Sequence, residues 1–432
     1  MRMANVLPSL TFFALRSLAG LAFVGLAFHA STQEPPKAPV PKSPYIAVVY
    51  RYADALVDKG RDPSGSFFKT MDRATLTPLT NAPPSGSAPA DADLLPDANL
   101  IRLLGFLTEL TTKPKYREAG DRCLRTFLQK ADSAPPNAAA WNEPGLAMLW
   151  DRGFTLERDI CHRLSFDLID PAYLTNGSVK GIGFRIRAWA LAHARTKDAR
   201  FEKAMENAIV AVPSLMSVEM TNSGCAGVVS LAIDCHGAAP FASEARADHL
   251  RKIAVMMDDL FCGLPHELSK QRGFLKLARN AGQIDLAATP QWIATPGEYT
   301  TAQVAMMCTS RYDNSARMEY LRLVMAAADS YLDSMPADDD DVLPLTFGQV
   351  ISLQVAAWRH SADPKYLERA RKVADLAIEK YFGTNALPRA SVKREHYESG
   401  TGASTLALGL AELHLQVLHI TAVRCPPNTI DR

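Results

Sequence analysis

The residues best suited to chemistry lie near the C-terminal end of the chain, in the stretch 385–402, NALPRASVKREHYESGTG. It holds Arg389, Lys393, Arg394, His396, Tyr397 and Glu398, and Gly400 and Gly402 close it just before an apolar run. Elimination beside a sugar carboxylate needs the acid group neutralised and the neighbouring proton removed by a base whose pKa its surroundings tune. His396 and Tyr397 supply candidate bases, Glu398 a partner for them, and Arg389 or Arg394 a guanidinium for the acid group. Small glycines let backbone approach a ligand, and a helix N-terminus favours an anion. The structural alternative has Glu398 and His396 capping the next helix, with Tyr397 packed beneath it.

A second candidate is 139–154, AAWNEPGLAMLWDRGF. Trp141 and Trp150 could stack on the apolar face of a pyranose ring, and Glu143 or Asp151 could act as acid or base. Two inward carboxylates would support hydrolysis, with their separation deciding inversion or retention. Tryptophans at helix ends also serve as core anchors. On the expected turn in MDRATLTP (71–78), Asp72 and Arg73 form either a local pairing or a cleft wall. His162, with Arg158 at i−4 and Phe166 at i+4, reads as a structural histidine. Arg185 and Arg187 cannot share one helix face, so at most one faces a cleft. The four acids Asp338 to Asp341 read as a solvated loop or cap, because no calcium-loop spacing accompanies them.

These groups must be positioned by helices. Ile46, Val49, Tyr50, Ala53 and Leu56 recur at helical spacing over 44–58, 63–79 reads as a short β-hairpin or ordered loop, and 80–96 as a flexible loop. Beyond that the apolar period predicts helices over 97–111, 115–130, 155–169, 179–195, 199–212, 243–262, 267–281, 300–310, 314–334, 346–360, 364–382 and 402–420. Asp97 and Asp313 are expected N-caps, Pro364 a first-turn proline and Gly383 a stop. Several junctions share one design: a helix ends, a few polar residues turn the chain, and Tyr116, Phe201 or Tyr366 opens the next helix, with Ala119, Ala204 or Ala370 three or four residues later. These are helical hairpins on one plan, at spacings too irregular for a 34-residue tetratricopeptide repeat.

Composition narrows the classes further. The 432 residues are 47% hydrophobic and 22% charged, enough for a large core. The first thirty carry Arg2, Arg16 and no acid, and the rest balances 45 basic against 46 acidic side chains. Such a body offers no broad positive field, so nucleic acid is not an expected partner. Residues 17–28 form an uncharged apolar run that ends before His29 and Ala30, which reads as a secretory signal peptide cleaved near Ala30. Residues 31–43 are a proline-rich linker, and the mature part has no stretch long enough for a membrane span. A secreted or periplasmic location is therefore expected. The seven cysteines include one expected pair, Cys225 with Cys235; packing as small buried side chains is the expectation for most of the others. Motifs for nucleotides, zinc proteases and α/β-hydrolases are absent from the sequence, and no metal or cofactor is expected.

The hairpin plan, the Trp141–Asn142–Glu143 segment and HYESGTGASTLALGL (396–410) resemble secreted α/α-toroid proteins that process carbohydrates: polysaccharide lyases, unsaturated glucuronyl hydrolases and N-acylglucosamine epimerases. The resemblance is architectural. It implies an all-α fold, an (α/α) toroid of about six helical hairpins over 44–425 with a short N-terminal β-hairpin and a tail at 426–432. It also implies an extracytoplasmic enzyme that cleaves an acidic poly- or oligosaccharide, with a uronate-containing substrate as its partner. The alternative is a non-enzymatic toroid that binds a glycan or a protein. In such a ring the loops entering the inner helices meet at one rim, which should bring 396–398 close to the Trp141 to Asp151 segment.

Overall fold

A computed structural model of the chain describes residues 43–79, 96–133, 144–169, 179–222, 226–270, 272–280, 283–294 and 298–428. The expected signal peptide, almost all of the linker, the 80–96 loop apart from Pro96, Trp141, Glu143 and Cys225 lie outside these residues.

Fourteen helices follow one another among the described residues: α1 (Pro44–Lys59), α2 (Ala98–Thr111), α3 (Lys115–Asp132), α4 (Pro144–Leu156), α5 (Arg158–Asp167), α6 (Val179–Thr196), α7 (Ala199–Asn222), α8 (Ala226–Ala238), α9 (Glu244–Cys262), α10 (Thr301–Ser315), α11 (Met318–Ser330), α12 (Pro344–Ser361), α13 (Pro364–Ala377) and α14 (Ala403–Val417). The even-numbered helices pack in the order α2, α4, α6, α8, α10, α12, α14 and back to α2, and so close a ring. The odd-numbered helices cover it from outside. Among the described residues the ring thus has seven inner helices, where the sequence suggests about six hairpins. No described helix is long and apolar enough to cross a membrane.

Burial follows from the two layers. An outer helix such as α3 or α13 buries one stripe and keeps the rest polar, whereas α8, α12 and α14 are buried nearly all round. The apolar period finds the outer helices and several inner ones, α12 and α14 among them, but misses α8, which has no polar stripe, and much of α4. The expected helix 267–281 is instead a loop leading into an antiparallel pair, β2 (Leu275–Asn280) with β3 (Gln283–Ala288). Asp97 caps α2 by accepting from Leu100 N–H at 2.9 Å, and Pro364 opens α13 as expected. Asp313 lies inside α10 and caps nothing, because α11 begins only at Met318.

The recurring tyrosines tie one outer helix to the next. Tyr116 donates to Asp54 of α1 at 2.9 Å, Tyr320 to Asp258 of α9 at 2.8 Å, and Tyr366 to Asp329 of α11 at 2.8 Å. At α7 the opener Phe201 has no hydroxyl and stacks on Phe166 instead. The Tyr320 tether is the most buried: Asp258 also takes a bidentate pair from Arg311, at 2.9 and 2.7 Å, with both charges out of water.

The connections on the two rims differ. Inner-to-outer turns are short, such as 112–114, 197–198 and 362–363, while outer-to-inner loops include 60–97, 263–300 and 378–402. Ring closure uses two of these long loops. β1 (Thr70–Met71) pairs with β4 (Tyr397–Glu398), Thr70 opposite Glu398, and so joins the loop before α2 to the loop before α14. Of the two readings of 63–79, the structure has the ordered loop, with local bridges, and its strand finds its partner more than 300 residues away.

Candidate active site in the ring lumen

The rim residues singled out from the sequence come together, but largely as structure. Arg73 is buried and donates to Leu387 O at 2.8 Å, Tyr381 O at 2.6 Å, Phe382 O at 3.0 Å and Glu395 Oε2 at 2.8 Å. It staples the loop 381–395 to the loop before α2, with no donor turned to a cleft. Asp72 holds its own turn through Ala74 and Thr75. Arg389 pairs with Glu395 at 2.8 Å, and Arg394 and His396 each approach Glu398 at 3.5 Å. Tyr397 is buried against Tyr52, whose hydroxyl is 3.5 Å from its own, and burial pushes its phenol well above the usual tyrosine value. A tyrosine so placed does not serve as a base at neutral pH.

The second candidate segment lies elsewhere. Trp150 is 2% exposed and donates to Ser165 Oγ at 3.1 Å, so its ring anchors α4 to α5 and offers no face to a sugar. Asp151 is exposed and pairs with Arg195 in the last turn of α6, toward the short-turn rim. His396 to Glu398 precede the first turn of α14, at the long-loop rim. The expected meeting of 396–398 with Asp151 does not occur, because inner helices run the depth of the ring between them. Of the expected Cys225–Cys235 pair, Cys225 lies outside the described residues. Cys235 is a buried free thiol. His162 packs edge-to-face against Phe166 and Phe201 as a structural residue.

A cavity of about 820 Å³ opens in the lumen, toward the C-terminal ends of the inner helices. Five successive inner helices each bring a polar residue to it: Arg187 of α6, His236 of α8, Asp313 of α10, Arg359 of α12 and Glu412 of α14. Of the two arginines in GIGFRIRAW, Arg187 lines the cavity and Arg185 turns to Leu168 O at 3.2 Å. Beneath the wall, Arg187 Nη1 lies 3.7 Å from the fully buried Asp234. Gly183 and Gly237 make the space for that pair: a Cβ at Gly183 would stand 2.8 Å from Asp234 Oδ2, and one at Gly237 3.0 Å from Arg187 Nη1.

The electrostatics perturb one of the two carboxyl groups. Burial pushes the Glu412 carboxyl above its ordinary value and the charge of Asp313 adds to that rise, while Arg359, 3.1 Å away, and Ser352 oppose it. Asp313 faces solvent beside His360 at 3.9 Å. Burial and the nearby Arg311 guanidinium push His236 below the usual histidine value, so that it is neutral at pH 7. A buried acid whose proton is held more tightly than usual, an exposed aspartate and a histidine shifted toward its neutral form thus line one cavity with arginines. A perturbed acid and a perturbed imidazole in one cleft mark a candidate site for acid–base chemistry.

The sequence carried a signal for this site that the loop argument passed over. Glu412 and His414 interrupt LALGLAELHLQV, and Asp234 and His236 interrupt AGVVSLAIDCHGA. A charge inside a helix that is apolar all round must be paired or put to use.

No family model matches this chain, and no curated protein matches it. Solved structures do. An unsaturated glucuronyl hydrolase specific for heparin superposes with a TM-score of 0.50 at 11% identity, covering 88% of this chain and 99% of that one. An inactive variant of the α-1,6-mannanase GH76A of Salegentibacter sp. HEL1_6, in complex with α-1,6-mannotetrose, gives 0.50 at 9% identity, over 86% and 99%. A D-mannose isomerase gives 0.51 at 10% identity, over 86% and 97%. At these identities the likeness is one of architecture: the chain has the fold of the (α/α)-toroid carbohydrate-active proteins.

Proposed function

We propose that this protein is an enzyme that cleaves a glycosidic bond in an acidic poly- or oligosaccharide, with the lumen as its active site. The observation that carries the reading is Glu412, a buried acid whose carboxyl is held above its ordinary value next to Arg359 of α12, with Asp313 of α10 on the same cavity. Glu412 donates a proton to the leaving glycosidic oxygen, Asp313 receives the proton of an attacking water, and Arg187 and Arg359 receive the acid group of the sugar. This pairing of carboxylates favours hydrolysis. Elimination would run instead through neutral His236 as the base, with an arginine neutralising the carboxylate. A screen on uronate-containing oligosaccharides separates them: hydrolysis releases reducing ends alone, elimination also creates an absorbing double bond. Glycan binding with no product of either kind would make the protein a binding module.

The same reading puts the protein outside the cytoplasm. It is supported by Arg2 and Arg16, the apolar run 17–28 and the proline-rich linker that follows. Intact-mass analysis of the exported protein should find a chain beginning near Ser31; a mass that retains residues 1–30 would mean an uncleaved anchor.

A further inference from the structure

After α14 the chain turns back into the ring. His419 takes a left-handed conformation (φ 52°), and Ile420 N–H donates to Leu415 O at 2.8 Å. The segment then runs antiparallel to α14 along its lumen side. Cys425 Sγ lies 3.7 Å from Leu408 O, and Asn428 Nδ2 donates to Thr405 O at 3.0 Å and to Ser352 Oγ at 3.3 Å. From Leu415 to Thr405 the segment follows α14 for about 15 Å. Its far end, Asn428, is 1% exposed and sits between α12 and the first turn of α14. What the sequence suggests is a tail from 426 onward therefore continues inward, at least as far as Asn428.

The hold on this segment is light. Ile420, Val423 and Cys425 pack half-buried against the core, while Thr421, Ala422, Arg424 and Pro427 are exposed. Among the described residues no backbone hydrogen bond joins 421–428 to the ring, and Pro426 and Pro427 have no N–H to give. Permanent core backbone pairs its polar groups; backbone that leaves them to water belongs to the low-stability part of a fold. The position is also telling, because Arg424, Cys425 and Pro427 line the same cavity as Glu412 and Arg359.

We propose that residues 418–428 are a displaceable plug of the lumen, seated where the further sugar units of a longer substrate would lie and withdrawn when such a substrate enters. This rests on the carbohydrate reading of the lumen. With the plug seated, the cavity takes a short oligosaccharide. Withdrawal extends it along α14 and uncovers Ser352, Thr405 and, bonded to Thr405 Oγ1 at 3.0 Å, Asn99: neutral polar groups suited to sugar hydroxyls. The segment thus sets the length of substrate the enzyme accepts.

Two forms of the protein test this, the full chain carrying Asn428→Ala and a chain lacking residues 419–432. Hydrogen exchange needs no substrate. In the wild-type chain the amides of 421–425 should exchange about 100-fold faster than those of α14, and Asn428→Ala should speed them further. Exchange as slow as that of α14 overturns the plug. The second readout is kcat/KM on a uronate hexasaccharide relative to a disaccharide, which deletion should raise about tenfold. A folded deletion variant with an unchanged ratio also overturns it. Should deletion unfold the protein, the segment is a strut, and the proposal falls unless Asn428→Ala alone raises the ratio in a folded chain. If no form turns over any glycan, the enzymatic reading fails, and the exchange result still judges the plug.

Discussion

Glu412→Gln is the substitution on which the active-site assignment turns. Gln keeps the shape of Glu and its hydrogen-bonding reach to Arg359 and Ser352, but it cannot give up a proton. Because burial holds the Glu412 carboxyl above its ordinary value, the folded protein retains a proton that the unfolded chain has already lost. The contribution of this group is therefore fully present below the ordinary glutamate value and fades as pH rises through the raised folded one. Each unit between those two values is worth about 1.4 kcal/mol. Against this, Arg359 is 40% exposed, so its pairing with Glu412 returns no more than about 1 kcal/mol. Denaturant unfolding at pH 4 and pH 8 should find Glu412→Gln equal to wild type at pH 4 and more stable than wild type at pH 8. Its turnover should fall about 100-fold or more, because the proton donor is gone. Turnover within threefold of wild type, or a wild-type dependence of stability on pH, would refute the role given to Glu412.

Removing the charge of Asp313 by Asp313→Asn should lower the Glu412 pKa and shift the alkaline limb of the rate profile to lower pH, since Asp313 contributes to holding it up; an unmoved limb would exclude Glu412 as the titrating acid. Arg311→Met should cost about 3–5 kcal/mol because it strands buried Asp258, whereas the double change Arg311→Met with Asp258→Leu should recover most of that in urea melts. Tyr116→Phe and Tyr366→Phe should each lose about 1 kcal/mol by cutting a tether between outer helices, with turnover unchanged. Tyr397→Phe should leave turnover near wild type, because its ring is core; a loss of about 100-fold would move the active site to the long-loop rim.

The sequence by itself determined the outer layer and the class of fold. Outer helices face water on one side, so their apolar stripe has the helical period, and the tyrosine openers at Tyr116 and Tyr366 mark each hairpin because each must reach an aspartate on the preceding outer helix. α8 was illegible because AGVVSLAIDCHGA spreads small and apolar residues over every face of an enclosed helix, whereas α12 and α14, also enclosed, are longer and were legible. The strand pairing of Thr70–Met71 with Tyr397–Glu398 was equally hidden, since two residues carry no alternation and the partner is fixed only when the ring closes. Candidate residues fared according to what surrounds them. Residue type alone gave Trp150 and Tyr397 functional readings, and packing made both of them core. Arg187 was rightly separated from Arg185 by helical geometry, but which of the two faced the lumen waited on the position of α6. Glu412, Asp313 and His236 share a cavity only because α8, α10 and α14 all face the lumen of the inner ring. The shifts of Glu412 and His236 come from burial and neighbouring charge, which are properties of the packed structure and are written nowhere along the chain.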